Sequence, residues 1–149
     1  MFYNLIVSKY GVYGYGTTIA LHPVNMEIMC KRILVLDDDL AILSALRDVL
    51  EFSGYEVNTF PRGDNIFENI KKYHPDLILL DVMLADMDGR EICKDIKKDE
   101  STEKIPVILI SATHNLSDCM HQKGGPNDFL AKPFDINSLL NKIEVQLAA

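Results

Sequence analysis

Residues 32–39 read RILVLDDD, an apolar run that ends in three successive aspartates. An apolar run of about four to six residues that stops at a polar side chain is typical of a buried parallel strand. Three more runs have this form, DLILL before Asp81, VILI before Ser111 and DFLA before Lys132. Ligands of open parallel sheets bind outside the carboxyl ends of the strands, so these polar groups are expected to meet at one site.

Apolar runs alternate with helical patterns from Lys31 onward, which predicts βαβ units around a parallel sheet. The predicted strands are 32–36, 56–60, 77–80, 107–110 and 129–131. The predicted helices are 40–53, 65–73, 90–99, 114–123 and 136–147. Asp64 is the expected N-cap of the second helix, and Gly54 is expected to end the first. The fourth helix has few apolar residues, so we expect it to be short or mobile.

Composition narrows the class of protein. A chain of 149 residues has room for one domain, and 15 Lys+Arg against 22 Asp+Glu give a formal net charge of -7. Without a basic stripe, direct binding to nucleic acid is not expected. No span approaches the roughly 20 apolar residues of a membrane helix, so no membrane association is expected. Cys30, Cys93 and Cys119 lack the spacing of a zinc site or disulfide framework, which favours a reducing, cytoplasmic location.

The amino-terminal segment differs in composition from the rest. Lys9 is the only charged side chain in residues 1–25, a stretch rich in tyrosine and glycine. We expect residues 1–28 to be a disordered or non-native extension and residues 29–149 to form the domain. Met26 and Met29 lie shortly before the first strand, which favours a misassigned upstream start. A partner-binding arm is the alternative.

The polar groups at the strand ends suggest a chemistry. Carboxylates at the end of one strand, together with Asp81 at the end of another, would repel one another if they were ionised and unpaired. A divalent cation resolves this repulsion, and an oxygen-only ligand set suits Mg²⁺. Beside the cation, a carboxylate can act as a nucleophile toward phosphorus. Lys132 would stabilise the phosphoryl charge and the Ser111 hydroxyl would donate a hydrogen bond to it.

Four motifs, ILVLDDD, DVMLADMDG, LISA and FLAKPF, together identify a family. From Lys31 to Ala149 the chain resembles the receiver domain of two-component response regulators, which are CheY-like. The resemblance implies an α/β, flavodoxin-like (βα)₅ fold with a doubly wound parallel sheet of strand order 2-1-3-4-5. It also implies a phosphorylation-dependent signalling switch that is not an enzyme, although it catalyses its own phosphorylation and dephosphorylation. The expected phosphodonor is a sensor histidine kinase or a phosphotransfer protein.

The resemblance assigns roles at the acidic end of the site. Asp81 matches the phosphoacceptor. Asp38 and Asp81 match the direct ligands of Mg²⁺, with the Met83 backbone carbonyl as a further ligand. Asp37 matches the acid that usually reaches the metal through water, and Asp39 is interpreted as an N-cap or a solvated acid.

The other assigned residues belong to the switch. Ser111 matches the hydroxyl that turns toward the phosphoryl group, and Phe129 matches the aromatic residue whose rotamer follows the switch. Core packing is the simpler interpretation of Phe129, and both can hold. Lys132 matches the family's lysine, and its bond to Pro133 resembles the family's cis linkage.

Two residues depart from the family pattern. Ala85 stands where the acceptor loop usually has proline, so that loop is expected to be less rigid. Pro126 stands where a small residue is usual, in a segment about one residue short. This affects the face formed by the fourth predicted helix, the fifth strand and the fifth predicted helix. In the family, that face often carries the contacts of a homodimer or of the downstream effector. The effector of this chain is unknown.

There are two alternative functions. Phosphatases of the haloacid dehalogenase type carry a D-x-D-x-T/V motif, and residues 37–41 match its two aspartates but have alanine at its last position. Asp37 would then be the nucleophile in place of Asp81. A receiver that is never phosphorylated and serves as an interaction module is the second alternative. The sequence leaves open whether the receiver stands alone or belongs to a longer regulator.

Overall fold

Five parallel strands form the centre of the molecule. The computed structural model describes residues 30–112, 120 and 122–149. The strands are β1 (Arg32–Leu36), β2 (Glu56–Phe60), β3 (Leu77–Asp81), β4 (Val107–Ser111) and β5 (Asp128–Ala131). They lie in the order β2-β1-β3-β4-β5, and every adjacent pair is parallel. The predicted fold class and strand order are confirmed.

Helices cover both faces of this sheet. They are α1 (Leu40–Phe52), α2 (Ile66–Tyr73), α3 (Gly89–Lys98) and α4 (Ile136–Ala148). They correspond to the first, second, third and fifth predicted helices. The fourth predicted helix falls largely outside the described residues, and so does the expected extension at residues 1–28. Across the described ranges, no helix has both the length and the apolar character needed to cross a membrane.

The sheet separates two apolar cores, because successive side chains of a strand point to opposite faces. On one face, Leu34 and Leu36 of β1 pack with residues of α2 and α3. On the other face, Ile33 and Val35 pack with residues of α1 and α4. The same alternation runs through β3 and β4, whose apolar residues are at most 2 % exposed. Burial on both faces explains why these strands read as unbroken apolar runs.

Most helix ends follow the local sequence. The Asp39 and Asp135 carboxylates cap α1 and α4 by accepting backbone N–H groups. Gly54, with φ +97°, follows α1, as expected for a helix stop. The predicted cap of α2 is wrong. The helix begins at Ile66 with Asn65 at the cap position, while the Asp64 carboxylate accepts a hydrogen bond from Arg62.

Gly89 permits a close approach of the backbone just after β3. A Cβ atom at this position would lie 2.1 Å from the Asp81 carbonyl oxygen. The Gly89 N–H donates to the Val82 carbonyl at 2.9 Å, and Met83 and Asp88 form an antiparallel bridge. We call residues 82–88 the acceptor loop. Its two ends are therefore held together directly beside Asp81.

Gly89→Ala should destabilise the domain, because the added methyl meets a main-chain carbonyl that cannot move alone. We expect a loss of about 1–3 kcal/mol in the free energy of unfolding, measured by urea denaturation. Gly63→Ala is the matched control, because its Cβ would meet the flexible side-chain ends of Ile92 and Met87 at 2.8 and 3.2 Å. An equal loss for both variants would contradict the proposed importance of the backbone contact.

Candidate functional site

Three carboxylates converge where β1 and β3 end. Oxygen atoms of Asp37, Asp38 and Asp81 lie within 4.8 Å of one another. Because β1 and β3 are adjacent parallel strands, their carboxyl ends meet at the same edge of the sheet. Asp37 and Asp81 are buried, whereas Asp38 is exposed. The cluster is therefore open to solvent on the Asp38 side.

Lys132 follows β5 and places one ammonium group between the two buried carboxylates. Its Nζ lies 3.1 Å from Asp37 Oδ2 and 3.0 Å from Asp81 Oδ2. Burial lowers the pKa of Lys132, but the hydrogen bonds to Asp81 and Asp37 outweigh this effect and raise it overall. The Lys132 side chain therefore carries a positive charge. The Lys132–Pro133 peptide bond is cis, as the resemblance implied.

Burial changes the pKa of the Asp37 carboxyl. Desolvation raises its pKa, and the nearby charge of Asp81 adds to this effect. The Asp39 N–H, 2.9 Å from Asp37 Oδ1, and the Lys132 ammonium act in the opposite direction but do not cancel it. Keeping the Asp37 carboxyl ionised in this arrangement therefore costs free energy.

Backbone N–H groups orient the carboxylates. The Met83 N–H donates to Asp81 Oδ1 at 3.2 Å, so the two oxygens of Asp81 have different partners. The Asp39 carboxylate turns away from the cluster and accepts the N–H groups of Ala41 and Ile42 at 2.9 and 3.2 Å. This confirms the interpretation of Asp39 as an N-cap. The Met83 side chain is 68 % exposed beside the site.

Ser111 and Phe129 lie on the adjacent strands β4 and β5. Ser111 is fully buried at the end of β4, and its carbonyl accepts the Lys132 N–H at 2.7 Å. In the register of the pair, Leu109 faces Phe129 and Ser111 faces Ala131. Phe129 and Ser111 therefore share one face of the sheet. Phe129 packs against the α2–α3 core, and the Lys142 ammonium lies 5.8 Å from the centre of its ring.

Two features near the site were not predicted from the sequence. Gly89 carries no side chain where the Asp81 carbonyl needs space, and the Asp88-Gly89 pair at the end of the acceptor motif was the available signal. Arg62 Nη2 lies 2.7 Å from Asp86 Oδ2 and so joins the β2–α2 loop to the acceptor loop. Arg62 is exposed and lies between Pro61 and Gly63, and no pattern in this part of the sequence predicts its contact with Asp86.

Comparison with known proteins agrees with the geometry. The family model of the response regulator receiver domain matches residues 33–144. The DNA-binding dual master transcriptional regulator RpaA of Synechocystis is 36% identical over 117 residues, which are 78% of this chain and 48% of RpaA. The chain spans about half the length of the curated relatives it matches.

Solved structures give the same result. A putative response regulator from Chloroflexus aurantiacus matches with a TM-score of 0.73 and 32% identity, covering 80% of this chain and 98% of that one. The response regulator TrrA from Thermotoga maritima, in complex with Mg²⁺-BeF, matches with a TM-score of 0.69 and 26% identity, covering 78% and 98%. The present chain belongs to the receiver domains of two-component response regulators, which are phosphorylation-dependent signalling switches.

Proposed function

We propose that Asp81 accepts the phosphoryl group, in a reaction that depends on Mg²⁺, and that its phosphorylation alters a partner-binding surface. The observation that carries this proposal is the single Lys132 ammonium shared by Asp37 and Asp81, with Asp38 beside them. The donor would be a sensor histidine kinase or a phosphotransfer protein. In the transfer, an Asp81 oxygen bonds to phosphorus, and the bond from phosphorus to the donor's imidazole nitrogen breaks with its electron pair on nitrogen.

The carboxylate cluster suits a magnesium ion. Three carboxylates near one ammonium leave an excess of negative charge, and the donor atoms are all oxygens. Asp37, Asp38 and Asp81 would hold the ion, with the Met83 carbonyl as a further ligand and Asp37 acting through water. When bound, the ion would offset the charge that builds up on the phosphoryl oxygens.

Lys132 and Ser111 would respond to the new group. The Lys132 ammonium already touches Asp81 Oδ2, so a phosphoryl group on Asp81 would lie within its reach. The Ser111 hydroxyl would donate a hydrogen bond to a phosphoryl oxygen. Because the Ser111 carbonyl holds the Lys132 N–H, motion of either residue acts on the other. Phe129, on the same face as Ser111, would change rotamer with this motion.

Asp37 is a less suitable nucleophile than Asp81. A phosphatase of the haloacid dehalogenase type would use the Asp39 carboxylate beside Asp37. That carboxylate instead accepts two backbone N–H groups at the start of α1. We therefore retain Asp81 as the acceptor and Asp37 as a residue of the metal site.

The wider assignments rest on the family. We infer a signalling domain that transfers a phosphoryl group only to and from itself, in residues 29–149, with residues 1–28 as an extension. We also infer a cytoplasmic location, which the spacing of the three cysteines favours because it fits neither a disulfide framework nor a zinc site. The face of the fourth predicted helix, β5 and α4 is the candidate surface for a homodimer, because this face often carries such contacts in the family. The downstream effector is unassigned.

The acceptor is tested by intact mass after incubation with Mg²⁺ and acetyl phosphate. The parent should gain one phosphoryl group, and Asp81→Asn should gain none because an amide oxygen is a poor nucleophile. If a folded parent that binds Mg²⁺ gained nothing, an interaction module would be the better description. A gain in both proteins would move the nucleophile elsewhere, with Asp37 tested next.

The metal site is tested by Asp38→Asn, with Asp39→Asn as a control of equal charge. Asp38→Asn should weaken Mg²⁺ binding on the order of tenfold or more, since an anionic ligand becomes neutral. Asp39→Asn should leave the affinity nearly unchanged, since asparagine also caps helices well. Isothermal titration calorimetry measures both. Equal weakening would mean that general charge, and not a ligand at residue 38, sets the affinity.

Asp37→Asn should change the stability of the domain in opposite directions without and with Mg²⁺. Without metal the variant should be more stable by about 1 kcal/mol, because it removes a buried charge and leaves Lys132 paired with Asp81. Saturating Mg²⁺ should reverse the order, because a bound ion stabilises the folded parent. Urea denaturation in chelator and in Mg²⁺ gives both values. A variant that is less stable in chelator would show that Asp37 is favourably paired in the free protein.

A further inference from the structure

Arg62 connects two loops that the sheet does not connect. It lies in the β2–α2 loop, where its Nε is 2.5 Å from Asp64 Oδ2, and its Nη2 is 2.7 Å from Asp86 Oδ2. Asp64 belongs to the same loop as Arg62, whereas Asp86 is 24 residues away in the acceptor loop. The guanidinium therefore ties the middle of the acceptor loop to the neighbouring loop.

The middle of the acceptor loop has few other hydrogen bonds, although Leu84 and Met87 pack against the α2–α3 core. The ends are held by the Gly89–Val82 hydrogen bond and the bridge between Met83 and Asp88. Between these ends, the Met87 N–H reaches the Leu84 carbonyl at 3.3 Å, near the upper limit for such a bond. The Ala85 N–H makes no hydrogen bond to any described residue. Alanine at this position also lacks the fixed backbone angle that a proline would supply.

We propose that Arg62 is a positioning residue for the acceptor loop, supplying through Asp86 the restraint that proline would give at residue 85. The loop begins directly after Asp81 and contains Met83, whose N–H orients the Asp81 carboxylate. This inference rests on the proposed function, because the loop matters to chemistry only if Asp81 and Met83 take part in it.

The expected effect is local and modest. Arg62 and Asp86 side chains are each 59% exposed, so solvent and salt screen the pair and it contributes little to the stability of the fold. A restraint of this strength would change the Mg²⁺ concentration at half-saturation about two- to fivefold. It should also raise the rate of amide hydrogen exchange in the acceptor loop without metal.

The experiment compares Arg62→Met and Asp86→Asn with Asp64→Asn, which removes the same charge as Asp86→Asn but leaves the link between the loops. Amide exchange of Met87 is followed by NMR without metal, with the Gly89 amide as internal reference, and Mg²⁺ binding is measured by calorimetry. Both link variants should speed Met87 exchange and weaken Mg²⁺ binding by the same factor. The double variant should add nothing, and Asp64→Asn should have the smaller effect.

Ala85→Pro provides the rescue. In that background Arg62→Met should no longer alter Met87 exchange or Mg²⁺ affinity, because proline replaces the restraint. Unchanged Met87 exchange in Arg62→Met, or equal effects of Asp64→Asn and Asp86→Asn, would overturn the inference. A parent that binds no Mg²⁺ and takes no phosphoryl group would instead overturn the proposed function, and the exchange data would still decide the role of Arg62.

Discussion

The shared Lys132 ammonium is the interaction on which the site depends. It joins β5 to β1 and β3 by contacting Asp37 and Asp81, which lie 95 and 51 residues away in the sequence. Among the described residues, Lys132 is the one cation that contacts Asp37 and Asp81, and its single charge cannot balance both of them and the adjacent Asp38. The free protein therefore keeps unfavourable negative charge at the edge of its sheet. A cation and a phosphoryl group can both use this arrangement, since the first relieves the repulsion and the second engages the lysine.

Holding such charges in place requires a rigid support. The sheet supplies it, because apolar cores on both faces bury β1, β3 and β4 almost completely. The buried strands fix the positions of the polar groups at their ends. The loop after β3 is anchored by the buried side chains of Val82 and Leu84 and by Gly89 at its end, and its exposed Asp86 contacts Arg62 of the neighbouring loop. The carboxylates therefore follow the most deeply buried strands, whereas the middle of the loop is joined to its neighbour by an exposed ion pair that solvent screens.

The sequence predicted the strands to within one residue, because two-sided burial leaves unbroken apolar runs bounded by polar groups. The meeting of Asp37, Asp81 and Lys132 followed from strand direction alone. The predicted N-cap of α2, Asp64, was wrong, because its carboxylate bonds to Arg62 instead. Contacts of this kind join exposed loops and leave no periodic pattern in the sequence. The roles assigned to Ser111 and Phe129 stay predictions, since they concern a motion and not a position.

The geometry nevertheless limits how that motion can travel. The main-chain bond from the Lys132 N–H to the Ser111 carbonyl links the two residues that would contact a phosphoryl group. The register of β4 and β5 places the Phe129 side chain on the Ser111 face, one step away along the strand. The Lys142 ammonium lies 5.8 Å from the centre of the Phe129 ring and is itself paired with Asp128. A displacement of Ser111 that moved Phe129 with it would therefore act on the Lys142 ammonium of α4 through this cation–π contact.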